Sequence, residues 1–117
     1  MITLPSDIRL YLALEPISMH RSFDGLAILA QEVIQQNPLN GHLFLFRNKR
    51  ADKIKGLFWD RNGFWIFYKR IEKGRFKFPK LKQPYIKLSQ EDLSLLLDGI
   101  DFTRLKRFPE LHYHIIA

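Results

Sequence analysis

Lys53-Ile-Lys-Gly-Leu-Phe-Trp-Asp-Arg-Asn-Gly-Phe-Trp-Ile-Phe-Tyr-Lys-Arg70 is the stretch that decides the fold. Two runs rich in aromatic and β-branched residues, Lys53 to Trp59 and Phe64 to Arg70, flank Asp60-Arg-Asn-Gly63. That turn composition between such runs predicts a β-hairpin. A tight Asn62-Gly63 turn and a four-residue turn give the same faces. Leu57, Trp59, Phe64, Ile66 and Tyr68 share one side; Ile54, Gly56, Phe58, Trp65 and Phe67 share the other. Both faces are aromatic, unlike a sheet with one side in water. One face is expected to meet a helix. The other calls for a second layer, a subunit partner or a ligand surface.

Upstream, His42 to Arg47 alternates Leu43 and Leu45 with Phe44 and Phe46, which predicts another strand. Ile8 to Leu14 reads as a short strand near the core, bounded by Asp7 and Glu15-Pro16. Between them, Leu26, Leu29, Ala30 and Val33 repeat at helical spacing. Ser22 is the expected N-cap, Asp24 lies in the first turn, and Asn37-Pro38 is the expected stop. Gly25 sits inside this helix, where close backbone approach near the helix start is the expected reason for it, the alternative being that it is simply tolerated there.

Downstream, Glu72-Lys-Gly-Arg75 reads as a turn and Phe76 to Pro79 as a short edge strand, since proline cannot donate to a ladder. Tyr85-Ile-Lys-Leu88 is expected to run into a last helix. Ser89 is its N-cap, Leu88 and Leu93 form a staple, Leu93, Leu96 and Leu97 form the buried stripe, and Asp98-Gly99 ends it. The fold class is therefore α+β: a twisted antiparallel sheet of four or five strands around a central Asn-Gly hairpin, packed against two helices. Residues 1–100 are expected to form a single domain. Residues 101–117 are expected to be a C-terminal tail, docked or partly flexible.

Charge is concentrated in the middle of the chain. Residues 47–82 carry 13 Lys or Arg against three acids, a net of +10, while the flanks carry −2 and −1. A local positive field on a structured element points to a polyanion; the plainer reading is a lysine-rich solvated sheet face. Antiparallel pairing brings Arg47, Lys49, Arg50, Lys53 and Lys55 together with Lys69, Arg70, Lys73, Arg75 and Lys77. These ten are the candidate nucleic-acid contacts, with Arg75 and Lys77 expected to be the most exposed. Trp65 and Phe67 are candidates for base stacking or for an interface.

Other chemistry finds little support. Among 117 residues there is no cysteine, which excludes disulfides, thiolate nucleophiles and Cys-ligated metals. No phosphate-loop, His-Glu-x-x-His or Gly-x-Ser-x-Gly motif occurs. His112-Tyr-His114 is a weak metal pair without further ligands. Asp24, Asp52, Asp60 and Glu72 have no spacing that asks for a shared metal. No catalytic residue, metal or cofactor is expected. The N-terminus lacks a basic head before an apolar run, and no stretch approaches the roughly 20 apolar residues of a membrane span.

In combination, several blocks resemble a known family. They are Met19-His-Arg21 with Phe23-Asp-Gly-Leu26, Gly41-His-Leu-Phe-Leu-Phe-Arg-Asn-Lys-Arg50, Asp52-Lys-Ile-Lys-Gly-Leu-Phe-Trp-Asp60, Gly63-Phe-Trp-Ile-Phe-Tyr-Lys-Arg70 and Glu72-Lys-Gly-Arg-Phe76, with a late Leu93 to Gly99 stretch. In this order the blocks resemble the small accessory protein, often called TnpB, of bacterial insertion sequences that also encode TnpA and the transposase TnpC. Ser18, His20-Arg21-Ser22 and Phe78 depart from the usual family pattern. The resemblance implies a cytoplasmic, non-catalytic accessory factor for transposition. The expected partners are DNA and other proteins of the same element, including the transposase, with a homo-oligomer left open. The alternative is a protein–protein adaptor or dimerising scaffold without direct DNA contact.

Overall fold

The structure is a computed structural model and describes residues 7–104. Five strands and two helices follow in chain order: β1 (Leu10–Ala13), α1 (Phe23–Glu32), β2 (Leu43–Arg47), β3 (Lys53–Asp60), β4 (Gly63–Arg70), β5 (Tyr85–Leu88) and α2 (Gln90–Leu97). A further helical turn starts at Phe102. The strands form one sheet in the order β4-β3-β2-β1-β5.

The hairpin forms as its residue pattern requires. Asp60 pairs with Gly63, Phe58 with Trp65, Gly56 with Phe67 and Lys53 with Arg70. Arg61 and Asn62 occupy the tip, with Arg61 at φ +57°, and Gly63 closes the turn instead of standing in it. β2 pairs antiparallel with β3, and β5 antiparallel with β1. β1 and β2, however, run parallel. A parallel pair requires a crossover, and α1 supplies it, so the sheet is mixed.

Both sides of this sheet are covered. On one side α1 lays Leu26 and Ala30 against Tyr11, Phe44, Phe46 and Leu57, with Ile34 beyond its end. On the other, α2 brings Leu96 to Leu10, Leu12, Leu43, Leu45 and Ile54, together with Phe76 and Phe102. The second layer called for by the two aromatic faces is therefore α2 with the segment around Phe76. Each fully buried leucine or phenylalanine contributes about 1.5–3 kcal/mol, so both layers are needed by a sheet this small.

Local signals explain the helix ends. The Ser89 hydroxyl accepts from the Asp92 N–H at 3.0 Å, and the Asp92 carboxylate accepts from the Ser89 N–H at 3.1 Å, a reciprocal capping box. At the other end Gly99 takes φ +78°, with its N–H on the Leu96 carbonyl and the Ile100 N–H on the Leu95 carbonyl. This is a Schellman stop. α1 is less well capped, for the Ser22 side chain makes no cap bond. It also ends at Glu32, before Asn37-Pro38, as the chain turns out through Gln35 at φ +59°.

Three expectations need correction. Phe76 to Pro79 is not a strand: the Phe76 N–H goes to the Ala51 carbonyl at 2.8 Å, and its ring is buried in the core. Tyr85 to Leu88 is a strand with its own ladder to β1, not an extension of α2. Gly25 is not at a close backbone approach, because a Cβ there would meet only the Arg21 side-chain stem, at 3.4 Å or more.

Candidate nucleic-acid interface

The topology brings one end of every strand to the same place. β1, β2 and β4 finish there; β3 and β5 begin there. The β2–β3 turn caps this end, and residues 71–84 fold across it. The Ile71 N–H donates to the Asp52 carbonyl at 2.9 Å, and the Leu14 N–H to the Pro84 carbonyl at 3.0 Å.

The turn itself is rigidly built. Asn48 Oδ1 accepts from the N–H groups of Asp52 and Lys53 at 3.1 and 3.0 Å. Its amide Nδ2 donates to the Asp52 carboxylate at 2.6 Å, which holds that carboxyl below its ordinary pKa. Ala51 takes φ +61° to close the loop, a left-handed position that suits glycine better. The result is a fixed ridge that presents Lys49 and Arg50 to solvent.

Two basic hollows flank the ridge. On the α2 side, one of about 870 Å³ is lined by Arg47, Lys77, Lys80 and Lys82 with Phe78, a cation excess over the Glu15 and Asp101 carboxylates that also line it. On the α1 side, one of about 610 Å³ is lined by His20, Lys49, Arg50, Lys53 and Tyr68. Lys73, Arg75 and Lys77 are exposed on the covering segment. Among the described residues, Lys49, Arg50, Lys73, Arg75, Lys77, Lys80 and Lys82 form no ion pair, whereas Arg70 binds Glu72 at 2.9 Å. That contact raises the Arg70 pKa.

Not every candidate cation faces outward. Lys55 is 7% exposed. Its ammonium donates to the carbonyls of Met19 and Arg21 at 2.6 and 2.7 Å and lies 4.7 Å from the Tyr68 ring centre. It therefore ties the loop before α1 to the sheet, and a phosphate has no access to it. Arg47 is half-buried, with Nε on the Leu14 carbonyl at 2.9 Å and its guanidinium 4.8 Å from the Phe78 ring centre. Burial lowers its pKa and Glu15 opposes that shift. Lys69 leans back to the Leu97 carbonyl at 2.7 Å.

The aromatic candidates lie away from this end. Trp65 is near the hairpin tip, its indole N–H directed at Asp60 at 3.4 Å, and Phe67 sits over Gly56 in mid-strand. Tyr68, exposed in the α1-side hollow, and Phe78, in the α2-side hollow, are aromatics that line the two basic hollows. Tyr68, His20, Lys80 and Lys82 are not among the contacts that charge and alternation single out, although Lys80 and Lys82 close the basic segment 47–82. Tyr68's cross-strand position opposite Lys55 was the signal that would have located it.

Asp52 and Asp60 bracket β3 at opposite ends, roughly 25 Å apart at strand rise, so those two candidate carboxylates cannot share a metal. Among the described residues no three His, Asp or Glu side chains are placed to hold one. His112 and His114 lie outside the described residues.

The model of the family described as IS66 Orf2 like protein matches residues 8–107, a span that includes every strand and both helices. The chain belongs to that family. The IS66 Orf2-like proteins are an accessory family of insertion sequences, so the chain is of mobile-element type. It is similar to the uncharacterized protein y4jC of Sinorhizobium fredii, with 36% identity over 87% of each chain. A second relative in that organism, the uncharacterized protein y4hO, is 39% identical over 85% of this chain and 88% of its own. No solved structure matches this IS66 Orf2-like chain. Among its described residues no helix is long and apolar enough to cross a membrane.

Proposed function

We propose that this IS66 Orf2-like protein serves transposition by binding DNA through the basic end of its sheet. The observation that supports this most is the juxtaposition of two basic hollows on either side of a rigid, cation-bearing turn. A duplex presents phosphates on both sides of a groove, and a ridge with cations on both flanks matches that arrangement. Such contacts position a protein on DNA without reading its bases, so end-sequence preference would come from partner proteins or DNA shape. Lys49, Arg50, Lys53, Lys73, Arg75, Lys77, Lys80 and Lys82 carry the contact in this reading. Lys55 and Arg47 hold the platform.

Fluorescence anisotropy of labelled insertion-sequence end DNA, across a salt series and beside scrambled duplex and single strand, tests it. Binding is expected to weaken steeply with salt. The double variants Lys49→Ala/Arg50→Ala and Arg75→Ala/Lys77→Ala are each expected to reduce the salt slope by about two, one per lost phosphate contact. Absence of binding at low salt would overturn direct DNA contact.

The second reading, an adaptor for the transposase, is favoured by the half-exposed Trp65 and Tyr68 on β4. It requires association with the transposase that tolerates salt and survives loss of those cations.

A further inference from the structure

We infer that β4 is a self-association edge, on which a second copy of this chain adds its own β4 antiparallel to make a continuous ten-stranded sheet. This inference does not rest on the DNA reading.

The two edges of the sheet are unlike. β5 is four residues long, follows Pro84 and leads directly into α2. β4 is eight residues long, contains no proline and has no neighbour on its outer side among the described residues. Every second residue of such a strand turns its N–H and C=O away from the ladder. A long, regular, apolar edge of this kind is a template for another strand. Beside it stand Trp65 and Tyr68, 50% and 54% exposed, the largest aromatic surfaces among the described residues.

The strand's own sequence selects a second copy as the occupant. Two-fold pairing about Ile66 keeps the corresponding faces of both copies on the same side of the joint sheet. It sets Trp65 opposite the partner's Phe67, and Phe64 opposite the partner's Tyr68. Each pair occurs twice, one kind on each face. Cross-strand aromatic pairs of this type are stabilising. The cations are not opposed: Lys69 faces the partner's Gly63, and Arg70 faces the partner's Asn62. Arg70 thereby reaches the hairpin tip, where Asp60 is paired with Arg61 at 3.5 Å, so the basic end of each β4 meets a tip without net charge. The joint also extends the α2-side cover, because Phe67 already lines an apolar hollow of about 440 Å³ with Leu93 and Leu97.

Light scattering of the full chain over a concentration series, at low and high salt, is the first measurement. The expected mass is that of two chains, with association unweakened by salt because both copies are basic. Trp65→Lys, confirmed as folded by circular dichroism, should weaken dimerisation by about tenfold or more. The absence of cysteine permits a test of register. Ile66→Cys places two thiols on the two-fold axis at a Cα separation of about 4.5–5.5 Å, within disulfide reach. Oxidation should therefore link Cys-substituted chains at 66, while Phe64→Cys, displaced along the strand from its own copy, should not link. A monomer at every concentration overturns the inference. So does a dimer that survives Trp65→Lys and does not cross-link at position 66.

Discussion

The two ends of the sheet are built differently. At the basic end three loops converge, and side chains tether them: Lys55 holds the segment before α1, Arg47 holds the chain after β1, and Asn48 locks the turn between β2 and β3. At the far end the Asp60–Gly63 hairpin tip stands in solvent, and the nearest comparable tether is His42 Nδ1 accepting from the Arg9 N–H at 2.9 Å. A positive charge at the basic end thus has one of two roles. Buried Lys55 and half-buried Arg47 neutralise carbonyl dipoles and fix loops; apart from Lys69 on the Leu97 carbonyl and Arg70 on Glu72, the exposed cations described at this end remain unpaired on a surface that those tethers have made rigid. Counting lysines and arginines would merge these roles.

The sharpest way to break this distinction is Lys55→Met, which keeps the length of the side chain but removes both carbonyl bonds. Charge-assisted hydrogen bonds of this kind are worth about 1.5–3 kcal/mol. The variant should lose on the order of 2–4 kcal/mol in urea unfolding, whereas Lys77→Ala should be nearly neutral in stability. Equal losses in the two variants would erase the separation of roles. Asn48→Ala comes next. It strips the turn of its cradle, and a loss of about 1–2 kcal/mol is expected from the unsatisfied N–H groups, with Lys49 and Arg50 released from their fixed presentation.

The smallest effect probes the far end alone. Burial, reinforced by Arg9 and opposed by Asp7, lowers the His42 pKa below 6.5 in the folded chain. The neutral imidazole is the form that accepts from Arg9. A depressed folded pKa means that the unfolded chain binds the proton more readily. The His42 contribution is therefore complete above pH 6.5 and is lost as pH falls through the folded value. His42→Gln should flatten the stability profile on the acid side of 6.5. The lowered Asp52 carboxyl acts at the other end and in a separate window, below the ordinary carboxyl value of 3.8. A profile that His42→Gln leaves unchanged on the acid side of 6.5 would show that the far-end tether contributes nothing to the pH dependence.

Much of this architecture could be read from the chain because its signals are local. Strand alternation through residues 53–70 gave the two faces of the hairpin correctly, and Ser89 to Asp92 marked a helix start by composition alone. The convergence of Lys53 with Arg70 was equally legible, since it follows from antiparallel pairing. Relations between distant segments were harder. Nothing in Leu10 to Ala13 indicates that its neighbour β2 runs parallel, because the direction is set by how α1 crosses the sheet. Phe76 resembled a strand residue, yet its N–H finds the β2–β3 turn and its ring fills the core. Lys55 shares its alternation with the partly exposed Lys53, and only the loop lying over it makes it internal. Aromaticity alone points to Trp65 and Phe67, while proximity to the cations belongs to Tyr68 and Phe78.

The strand order also has a consequence in time. Of the described strands β1 is the first to be synthesised, and among the described residues its second edge is covered by β5. At translation rates of about 5–20 residues per second, some 4–15 seconds separate Ala13 from Leu88. Through that interval Leu10-Tyr-Leu-Ala13 has one bare edge, and the α2 side of the sheet has no helix over it. The nascent chain is thus exposed to wrong pairing at β1 for longer than at either other described strand that is flanked on both sides, and release from that hazard waits for β5 and α2 to emerge.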